Sequence, residues 1–356
     1  MRIALDMTPA VVGHTGVVRY AEMLWTALQD RPDIEVCGVS FGRAHRNLPS
    51  VRHIGVPLRI LHPLWRLSGQ PKVERLVGPI DLVHSMDLLP PPTLAPLVVS
   101  LIDVLPATHP QFYSDRARST HAAKLRTVAS AAVIVTCTQA GADDVARVVG
   151  IPADRVVVAP LAGRPGPVVA IRPPVDPPYL LAVGVLTPRK GFDVLARAVA
   201  GLGPSAAPVL HVGPDGYRAD EVHAAISTAD HDGRWHFLGE VDDAMLAGLY
   251  EQATVVCHPS LAEGFGLVCV EAMERGAPVV AADIPAVREV VGDAAVLVPA
   301  GDADALASVL AQLIPAPDRR ADLAERGRRR AAQFTWPATA EAVVASYRRV
   351  LAISGS

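Results

Sequence analysis

Residues 258–275 (HPSLAEGFGLVCVEAMER) bring together residue types that bind phosphate groups and sugars. Two glycines let the backbone approach a ligand closely, because glycine has no Cβ. A helix predicted from Leu267 would direct its free N–H groups and the positive end of its dipole toward an anion. Glu263 precedes the glycines, and Glu271 lies about one turn into the helix, within reach of a polar ring. Taken alone, these residues fit a plain strand, turn and helix with two surface glutamates equally well.

Residues 184–193 (GVLTPRKGFD) form a second cluster of this kind. Lys190 follows a predicted strand and precedes a glycine. An ammonium group at this position can meet a diphosphate as a compact positive charge. By itself, the same pattern also fits a surface lysine at the start of a helix.

The first cluster resembles the donor-binding signature of family 4 retaining glycosyltransferases, which has two glutamates with seven residues between them. Residues 276–302, residues 235–250 and the ending FTWPATAEAVVASYRRVL are also similar to this family. The resemblance covers nearly the whole second half of the chain. It implies an α/β fold of the GT-B class, in which two Rossmann-like, doubly wound domains face a central cleft that holds a nucleotide-sugar.

The resemblance implies a role for each residue of the first cluster. Glu263 would be catalytic and would hold hydroxyl groups of the transferred sugar, while Glu271 would bind the ribose of the donor. The other donor-binding residues of this segment would form the phosphate-facing turn, which consists of Gly264, Phe265, Gly266 and Leu267.

The same resemblance makes Lys190 the diphosphate-binding lysine of the second cluster. Many members of the family also carry an arginine directly after the first glycine of this motif, where this chain has Val185. Either Arg189 supplies the second positive charge, as in a subgroup with a PRK pattern, or the donor binds more weakly.

The first half of the chain resembles the family at two places. Residues 13–24 (GHTGVVRYAEML) are similar to a glycine loop and helix, and Gly16 would let this loop approach the donor phosphates or the acceptor. A simple strand–helix turn fits this segment as well. Residues 98–114 contain Asp103, the second expected catalytic residue, but Ile102 stands where the family has its active-site histidine. Ile102 removes a hydrogen-bond donor to the transferred sugar and removes no nucleophile.

The activity implied is transfer of a glycosyl unit from a nucleoside-diphosphate sugar to an acceptor hydroxyl, with retention of configuration. The acceptor would be a sugar, a lipid-linked molecule or another small molecule. No cofactor or metal is expected, because Lys190 and the helix N-terminus would stabilise the leaving diphosphate. Two alternatives stay open: a GT-B sugar-nucleotide epimerase or phosphorylase, and a non-catalytic glycosyltransferase-like binding subunit, which Ile102 and Val185 favour.

The elements that must position these residues follow from the hydrophobic pattern. Short β-branched runs alternate with helical segments, which indicates parallel sheets covered by helices. The strands predicted in the first half are residues 2–7, 81–84, 97–101, 133–136 and 156–158. Those predicted in the second half are residues 179–185, 209–212, 235–238, 254–258 and 279–281. Helices are predicted at residues 19–28, 192–200, 243–252, 267–275 and 335–351.

Prolines are frequent in residues 164–178, and proline suits neither a helix interior nor a central strand. We therefore expect an N-terminal acceptor-binding domain at residues 1–165, a linker at 166–178 and a nucleotide-sugar-binding domain at 179–335. Residues 336–356 are expected to form a helix that crosses back to the first domain. In open α/β sheets, ligands bind beyond the carboxyl ends of the strands.

Composition narrows the class of protein. The chain has 356 residues, of which 50% are hydrophobic, and this suffices for two cores of ordinary size. Its net charge of −3 and the lack of a basic block predict no nucleic-acid partner. Four scattered cysteines without a CxxC pair fit a reducing cytoplasm. Asp6 interrupts the first apolar run, so no signal peptide is predicted.

Residues 56–78 (VPLRILHPLWRLSGQPKVERLVG) mix apolar and basic side chains. Such a mixture suits a peripheral contact with anionic lipid at the inner face of a membrane. Pro57, Pro63 and Pro71 are expected to break a regular helix here, which favours an ordinary pair of packed helices.

Overall fold

The structure is a computed structural model that describes residues 1–12, 16–43, 48, 50–86, 89–163, 171–203 and 206–354. The chain divides into two compact units. The first consists of Met1–Pro110, Ser114–Leu161 and Trp336–Ser356, and the second of Gln111–Tyr113 and Ala162–Thr335.

A parallel sheet of seven strands forms the centre of the first unit. Its strands are β1 (Arg2–Asp6), β2 (Glu35–Phe41), β3 (Val51–Ile54), β4 (Leu82–Ser85), β5 (Leu97–Ser100), β6 (Val133–Thr136) and β7 (Val156–Val158). They lie in the order β3-β2-β1-β4-β5-β6-β7. The chain therefore runs outward from β1 to β3 and then returns to β4 on the other side of β1.

Helices cover this sheet. They are α1 (Thr8–Val12), α2 (Gly16–Gln29), α3 (Leu58–Ser68), α4 (Glu74–Val77), α5 (Leu105–Thr108), α6 (Asp115–Val128) and α7 (Gln139–Val149). Apolar side chains from helices and strands meet in buried clusters, and Trp65 of α3 packs edge-on against Phe41 of β2 with ring centroids 5.0 Å apart. Burial of large apolar side chains of this kind contributes about 1.5–3 kcal/mol each.

The second unit contains a parallel sheet of six strands. They are β8 (Leu180–Val183), β9 (Val209–Val212), β10 (Trp235–Gly239), β11 (Val255–His258), β12 (Val279–Ala282) and β13 (Val296–Val298). Their order is β10-β9-β8-β11-β12-β13. The chain moves outward from β8 to β10 and returns to β11 beside β8, so the strand order reverses between β8 and β11.

The helices of the second unit alternate with these strands. They are α8 (Phe192–Gly201), α9 (Ala219–Ala229), α10 (Asp243–Gln252), α11 (Leu267–Glu274), α12 (Pro285–Val291), α13 (Ala303–Leu313) and α14 (Pro317–Ala331). A large buried cluster joins one face of the sheet to α8, α9 and α13. This cluster therefore fixes β8, β9 and β13 relative to the helices that follow them.

The last helix, α15 (Trp336–Ser354), belongs to the first unit. Its buried Tyr347 hydroxyl lies 2.5 Å from Nδ1 of His84, and Nε2 of the same ring lies 2.8 Å from the Ser100 hydroxyl. Ser100 in turn contacts the Tyr20 hydroxyl at 2.8 Å. This buried polar chain joins α15 to β4, β5 and α2, and each of these links is a hydrogen bond, as buried polar groups require. Over the described residues, no helix combines the length and hydropathy needed to span a membrane.

Each strand predicted from the sequence is present, and β6, β7 and β9 have the predicted bounds. Strands β2, β3 and β13 are not predicted from the sequence. In β2 the apolar pattern is interrupted by Gly38, where a Cβ would lie 2.9 Å from the Trp25 ring. Packing against Trp25 therefore favours glycine at this position. The glycine interrupts the run of apolar residues from which a strand would be predicted.

Two predictions rest on the positions of prolines. Residues 171–178 of the predicted linker form no helix or strand, while its residues 166–170 lie outside the described residues. The prediction that Pro63 breaks a helix is wrong, because Pro63 lies inside α3. Leu61 and Trp65 on the inner face of α3 are both buried, and this packing holds the helix across the missing N–H group.

Candidate functional site

The two sequence clusters meet where the strand order of the second unit reverses. Strands β8 and β11 are direct neighbours in the sheet. A short 3₁₀ turn, Pro188–Lys190, follows β8, and the glutamate-containing loop follows β11. Ligands of doubly wound folds bind at such a reversal, beyond the carboxyl ends of the strands. The sheet topology therefore places the predicted lysine and the predicted glutamates in the position where a ligand is expected.

Backbone contacts join these two loops. The N–H of Leu261 donates to the carbonyl of Arg189 at 2.8 Å, and the Arg189 guanidinium donates to the carbonyl of Ala262 at 2.5 Å. Gly191 has φ +64°, and a Cβ there would lie 2.2 Å from the carbonyl oxygen of Pro259. Glycine at this position is thus required both by the backbone conformation and by the close approach of the second loop.

Glu263 forms ion pairs with both cations of the turn. Its Oε1 lies 2.5 Å from Nζ of Lys190, and its Oε2 lies 3.1 Å from Nη1 of Arg189. The side chains of Glu263 and Lys190 are 11% and 12% exposed. Burial alone would raise the pKa of the Glu263 carboxyl, but Lys190 and Arg189 hold that pKa well below its ordinary range. Glu263 is therefore an anion that two partly desolvated cations share.

His258, the last residue of β11, lies beside this ion-pair cluster. The residue is 2% exposed, and its Nε2 lies 3.6 Å from Oε1 of Glu263. Burial lowers the pKa of His258 to about 4, against the opposing effect of Glu263, so the ring is neutral at pH 7. Sequence reasoning names the strand that ends at His258 but does not select this residue. The feature of the sequence that could have pointed to His258 is its place at the end of a strand, directly before the glutamate loop.

The predicted phosphate-facing turn leads into α11. Gly266, the N-cap residue of the helix that follows, has φ +96° and carries no side chain with which to cap it. The Phe265 ring is buried and packs edge-on against Phe334, with ring centroids 5.7 Å apart. Gly264 is buried as well, and Leu267 is the first residue of α11. The aromatic side chain of this turn therefore belongs to the core.

Glu271 lies in the second turn of α11 and is nearly buried. The hydroxyl of Tyr250, from α10, donates a hydrogen bond to its Oε2 at 3.1 Å. Tyr250 thus fixes one oxygen of the carboxylate that sequence reasoning assigns to the ribose. The sequence analysis does not name Tyr250 as a site residue, because the contact joins two different helices.

The motif around β8 shows how the chain accommodates Lys190. Gly184 has φ +144°, and a Cβ there would lie 3.2 Å from Cε of Lys190. The lysine side chain therefore runs across a glycine at the strand end. Val185, the residue directly after this glycine, is exposed.

The remaining predicted residues belong to the first unit. Asp103 follows β5 and accepts a hydrogen bond from the N–H of Leu105 at 3.0 Å. Ile102 is half-buried, and its carbonyl accepts a hydrogen bond from the Thr136 hydroxyl at 3.2 Å. Gly16 is the first residue of α2, while residues 13–15 of the same motif lie outside the described residues. The structure thus brings Arg189, Lys190 and Glu263 into contact in the second unit.

Comparison with known proteins identifies the family. The family model "Glycosyl transferases group 1" matches residues 169–330, and the model "Glycosyltransferase Family 4" matches residues 14–162. The chain belongs to the group 1 glycosyltransferases. It is therefore a transferase of sugars, and the resemblance inferred from its motifs is confirmed.

Curated relatives of this glycosyltransferase act on several acceptors according to their names. The O-antigen chain mannosyltransferase B of Escherichia coli is 28% identical over 307 residues, which are 82% of this chain and 78% of the relative. A phosphatidyl-myo-inositol mannosyltransferase of Mycolicibacterium smegmatis is 38% identical over 46% of this chain and 42% of the relative. A D-inositol 3-phosphate glycosyltransferase of Kineococcus radiotolerans is 35% identical over 58% and 53%. The matches to the latter two thus span about half of each relative.

Solved structures share the fold. Sucrose-phosphate synthase from Thermosynechococcus elongatus has a TM-score of 0.79 at 23% identity, over 99% of this chain and 100% of that one. The Anabaena protein HepE in complex with UDP and glucose has a TM-score of 0.74 at 20% identity, over 97% and 98%. The predicted α/β class, GT-B with two Rossmann-like domains, is confirmed.

Proposed function

We propose that this glycosyltransferase transfers a glycosyl unit from a nucleoside-diphosphate sugar to an acceptor hydroxyl, with retention of the anomeric configuration. One observation carries the proposal. Lys190 and Arg189 lie against the glutamate loop at the strand-order reversal of the second unit. The loop leads into α11, whose N-cap residue is Gly266. Two cations and a helix N-terminus together suit a diphosphate.

The same groups account for catalysis of bond cleavage. The transition state of glycosyl transfer resembles an oxocarbenium ion, and the leaving diphosphate gains negative charge as the glycosidic bond breaks. Lys190, Arg189 and the N–H groups at the start of α11 would stabilise that charge. The contacts between the two loops hold the backbone of Arg189 and Gly191 in place, on either side of Lys190.

The carboxylates of this site would orient the donor. Glu263 would hold hydroxyl groups of the transferred sugar, and Glu271, fixed by Tyr250, would accept hydrogen bonds from the ribose. Asp103 of the first unit would be the second catalytic carboxylate. The acceptor hydroxyl would attack from the face that the diphosphate leaves, so that configuration is retained, and its proton would pass to the leaving diphosphate. NMR of the product, read at the anomeric proton, tests retention directly.

Positive charge on the protein would take the place of a metal ion in this reaction. Lys190 and Arg189 contribute two full charges, and α11 contributes about half a charge at its N-terminus. We therefore expect the transfer rate to be unchanged by excess EDTA. Loss of activity in EDTA, with recovery on adding Mg²⁺ or Mn²⁺, would contradict the metal-independent mechanism.

Nucleotide binding provides the first test of the site. We expect Lys190→Ala and Glu271→Ala to weaken binding of UDP or GDP at least about tenfold, which corresponds to about 1.4 kcal/mol. Isothermal titration measures the affinity. Arg197→Ala is the matched control, because Arg197 pairs with Asp193 on an exposed face of the same unit. Affinities unchanged in both site variants would rule out this assignment.

Ile102 favours a second candidate function, a non-catalytic nucleotide-binding subunit. Its side chain has no hydrogen-bonding group for the transferred sugar. That candidate predicts normal nucleotide binding without donor hydrolysis or transfer, whereas an epimerase would change the donor sugar without an acceptor. Screening GDP-mannose and UDP-glucose with the wild-type protein, by chromatography of the products, separates these outcomes.

We also propose that α3 docks on an anionic membrane surface, where a lipid-linked acceptor would be available. The outward face of α3 carries Ile60, Leu64 and Leu67, spaced as residues i, i+4 and i+7. Ile60 is 54% exposed and Leu67 is 88% exposed. Arg59 and Arg66 flank this apolar stripe and are exposed, and α3 contains no acidic residue. An apolar stripe with a cationic border fits anionic lipid headgroups.

Vesicle sedimentation tests this membrane contact. Wild-type protein should bind vesicles that contain phosphatidylglycerol, and Leu67→Glu should abolish most of that binding. Tyr217→Glu is the control, because Tyr217 is a similarly large exposed side chain of the second unit. Equal binding of phosphatidylglycerol and pure phosphatidylcholine vesicles, or no binding to either, would count against the proposal.

A further inference from the structure

His258 has a buried nitrogen with no hydrogen-bond partner. Among the residues that the structure describes, nothing bonds to its Nε2, although the residue is 2% exposed. That atom lies 3.6 Å from Oε1 of Glu263, slightly beyond hydrogen-bond distance. A buried polar atom without a partner is unfavourable, and a role in catalysis is one explanation for such an atom.

Glu263 is engaged by other side chains in this structure. Its two oxygens face Lys190 and Arg189, the cations assigned to the donor diphosphate. A diphosphate carries more negative charge than one carboxylate and presents more acceptor oxygens, so it would displace Glu263 from both cations. The displaced carboxylate would then need a new donor close by.

We propose that His258 is a positioning residue that holds the displaced Glu263 carboxylate toward the transferred sugar. When the diphosphate binds the two cations, the Nε2–H group of His258 donates a hydrogen bond to Oε1 of Glu263. A movement of less than about 1 Å brings the two atoms to an ordinary hydrogen-bond distance. This inference rests on the proposed function, because it requires a donor diphosphate at Lys190.

The surroundings of His258 suit such a role. Burial keeps the ring neutral at pH 7, so that one ring nitrogen carries a proton and can donate. Gly266 lies against the same nitrogen, since a Cβ at Gly266 would be 4.0 Å from Nε2. The imidazole is therefore next to both Glu263 and the glycine turn before α11. A hydrogen bond from this direction would hold the carboxylate on the side of the turn where the sugar follows the diphosphate.

Two substitutions at His258 separate positioning from a structural role. His258→Gln keeps an N–H donor near the position of Nε2, whereas His258→Leu keeps the apolar bulk and removes the donor. The probes are UDP and GDP for the diphosphate, and UDP-glucose and GDP-mannose for the complete donor. Titration gives the affinities, and donor hydrolysis or transfer gives kcat and KM.

We expect His258→Leu to bind UDP or GDP within about twofold of wild type, while kcat falls at least tenfold. His258→Gln should recover most of that kcat. In wild-type protein, saturation with the diphosphate should also shift the ¹⁵N signal of His258 Nε2, and Glu263→Ala should abolish the shift. These results would be specific to a hydrogen bond between the two side chains.

Other results would overturn the inference. An unchanged kcat in His258→Leu would show that the N–H group of His258 does not act on Glu263. A kcat of His258→Gln no higher than that of His258→Leu would show the same. If wild-type protein binds none of the four nucleotides, the proposed function fails and this inference fails with it. If wild-type binding is normal and only the His258 variants behave otherwise than expected, the proposed function stands and the positioning role alone is refuted.

Discussion

Glu263 and the diphosphate of the proposed donor would compete for the same two cations. In this structure the carboxylate contacts both Lys190 and Arg189. All three side chains are largely withdrawn from water, which strengthens such pairs relative to ion pairs on a surface. The same residue would therefore oppose diphosphate binding and assist the sugar once the diphosphate is bound.

This competition predicts an unusual mutant. Glu263→Gln removes the charge and retains the shape, so it should bind UDP or GDP several-fold more tightly than wild type. The transfer rate should fall in the same variant, because the sugar loses its carboxylate. Titration and steady-state kinetics measure the two effects. Asp193→Asn, which alters an exposed ion pair of the same unit, is the control. Weaker or unchanged diphosphate binding in Glu263→Gln would refute the competition.

The contact between two loops is the element that determines the shape of the site. The turn after β8 and the loop after β11 meet through Arg189 and through the close approach of Gly191 to Pro259. Because the loops follow neighbouring strands, the register of the sheet brings their ends together. A disturbance at this contact would displace Lys190 without touching it.

Gly191→Ala tests this element. The added Cβ would lie 2.2 Å from the Pro259 carbonyl oxygen, in addition to the unfavourable φ of +64°. Gly233→Ala is the matched control, since Gly233 has φ +66° and nothing within 4 Å of a Cβ. We expect the control to lose about 1 kcal/mol of stability and Gly191→Ala to lose more, with weaker UDP or GDP binding. Urea unfolding and titration measure both, and equal losses would contradict the argument.

Three buried histidines give the whole molecule a common acid sensitivity. Burial lowers the pKa of His84 in the first unit to about 3 and that of His211 and His258 in the second unit to about 4. The unfolded chain binds protons at these side chains near pH 6.5, whereas the folded protein does not. Below pH 6.5 the unfolded state is therefore favoured by proton binding, and above it these residues add no further pH dependence.

We expect the free energy of unfolding to fall as the pH is lowered from 6.5 to 4.5. Each histidine would contribute up to about 1.4 kcal/mol per pH unit in that range. Urea unfolding at pH 7.5, 6.5, 5.5 and 4.5 measures the change. In His84→Gln, the free energy of unfolding of the first unit should fall less steeply as the pH is lowered, because glutamine does not titrate. A free energy that is constant between pH 6.5 and 4.5 would show that these rings already carry a proton in the folded state.

Residues that are close in the chain were sufficient to predict many of the strands, helices and turns of this protein. Strands such as β6 and β9 are short apolar runs whose bounds follow from composition alone. The residue types near each position also predict the glycine turn before α11 and the place of Lys190 directly after a strand. Composition also separates the two halves by a proline-rich stretch. Each of these inferences needs only interactions between residues close in the chain.

Tertiary structure decided which of these groups meet. Lys190 and Glu263 are 73 residues apart, and their contact depends on the neighbouring positions of β8 and β11 in the sheet. The hydrogen bond from Tyr250 to Glu271 and the orphaned nitrogen of His258 arise in the same way. Pro63 lies inside α3, where side-chain packing outweighs the tendency of proline to end a helix. Strand order and side-chain packing join residues that are distant in sequence, and periodicity or composition carries no record of those contacts.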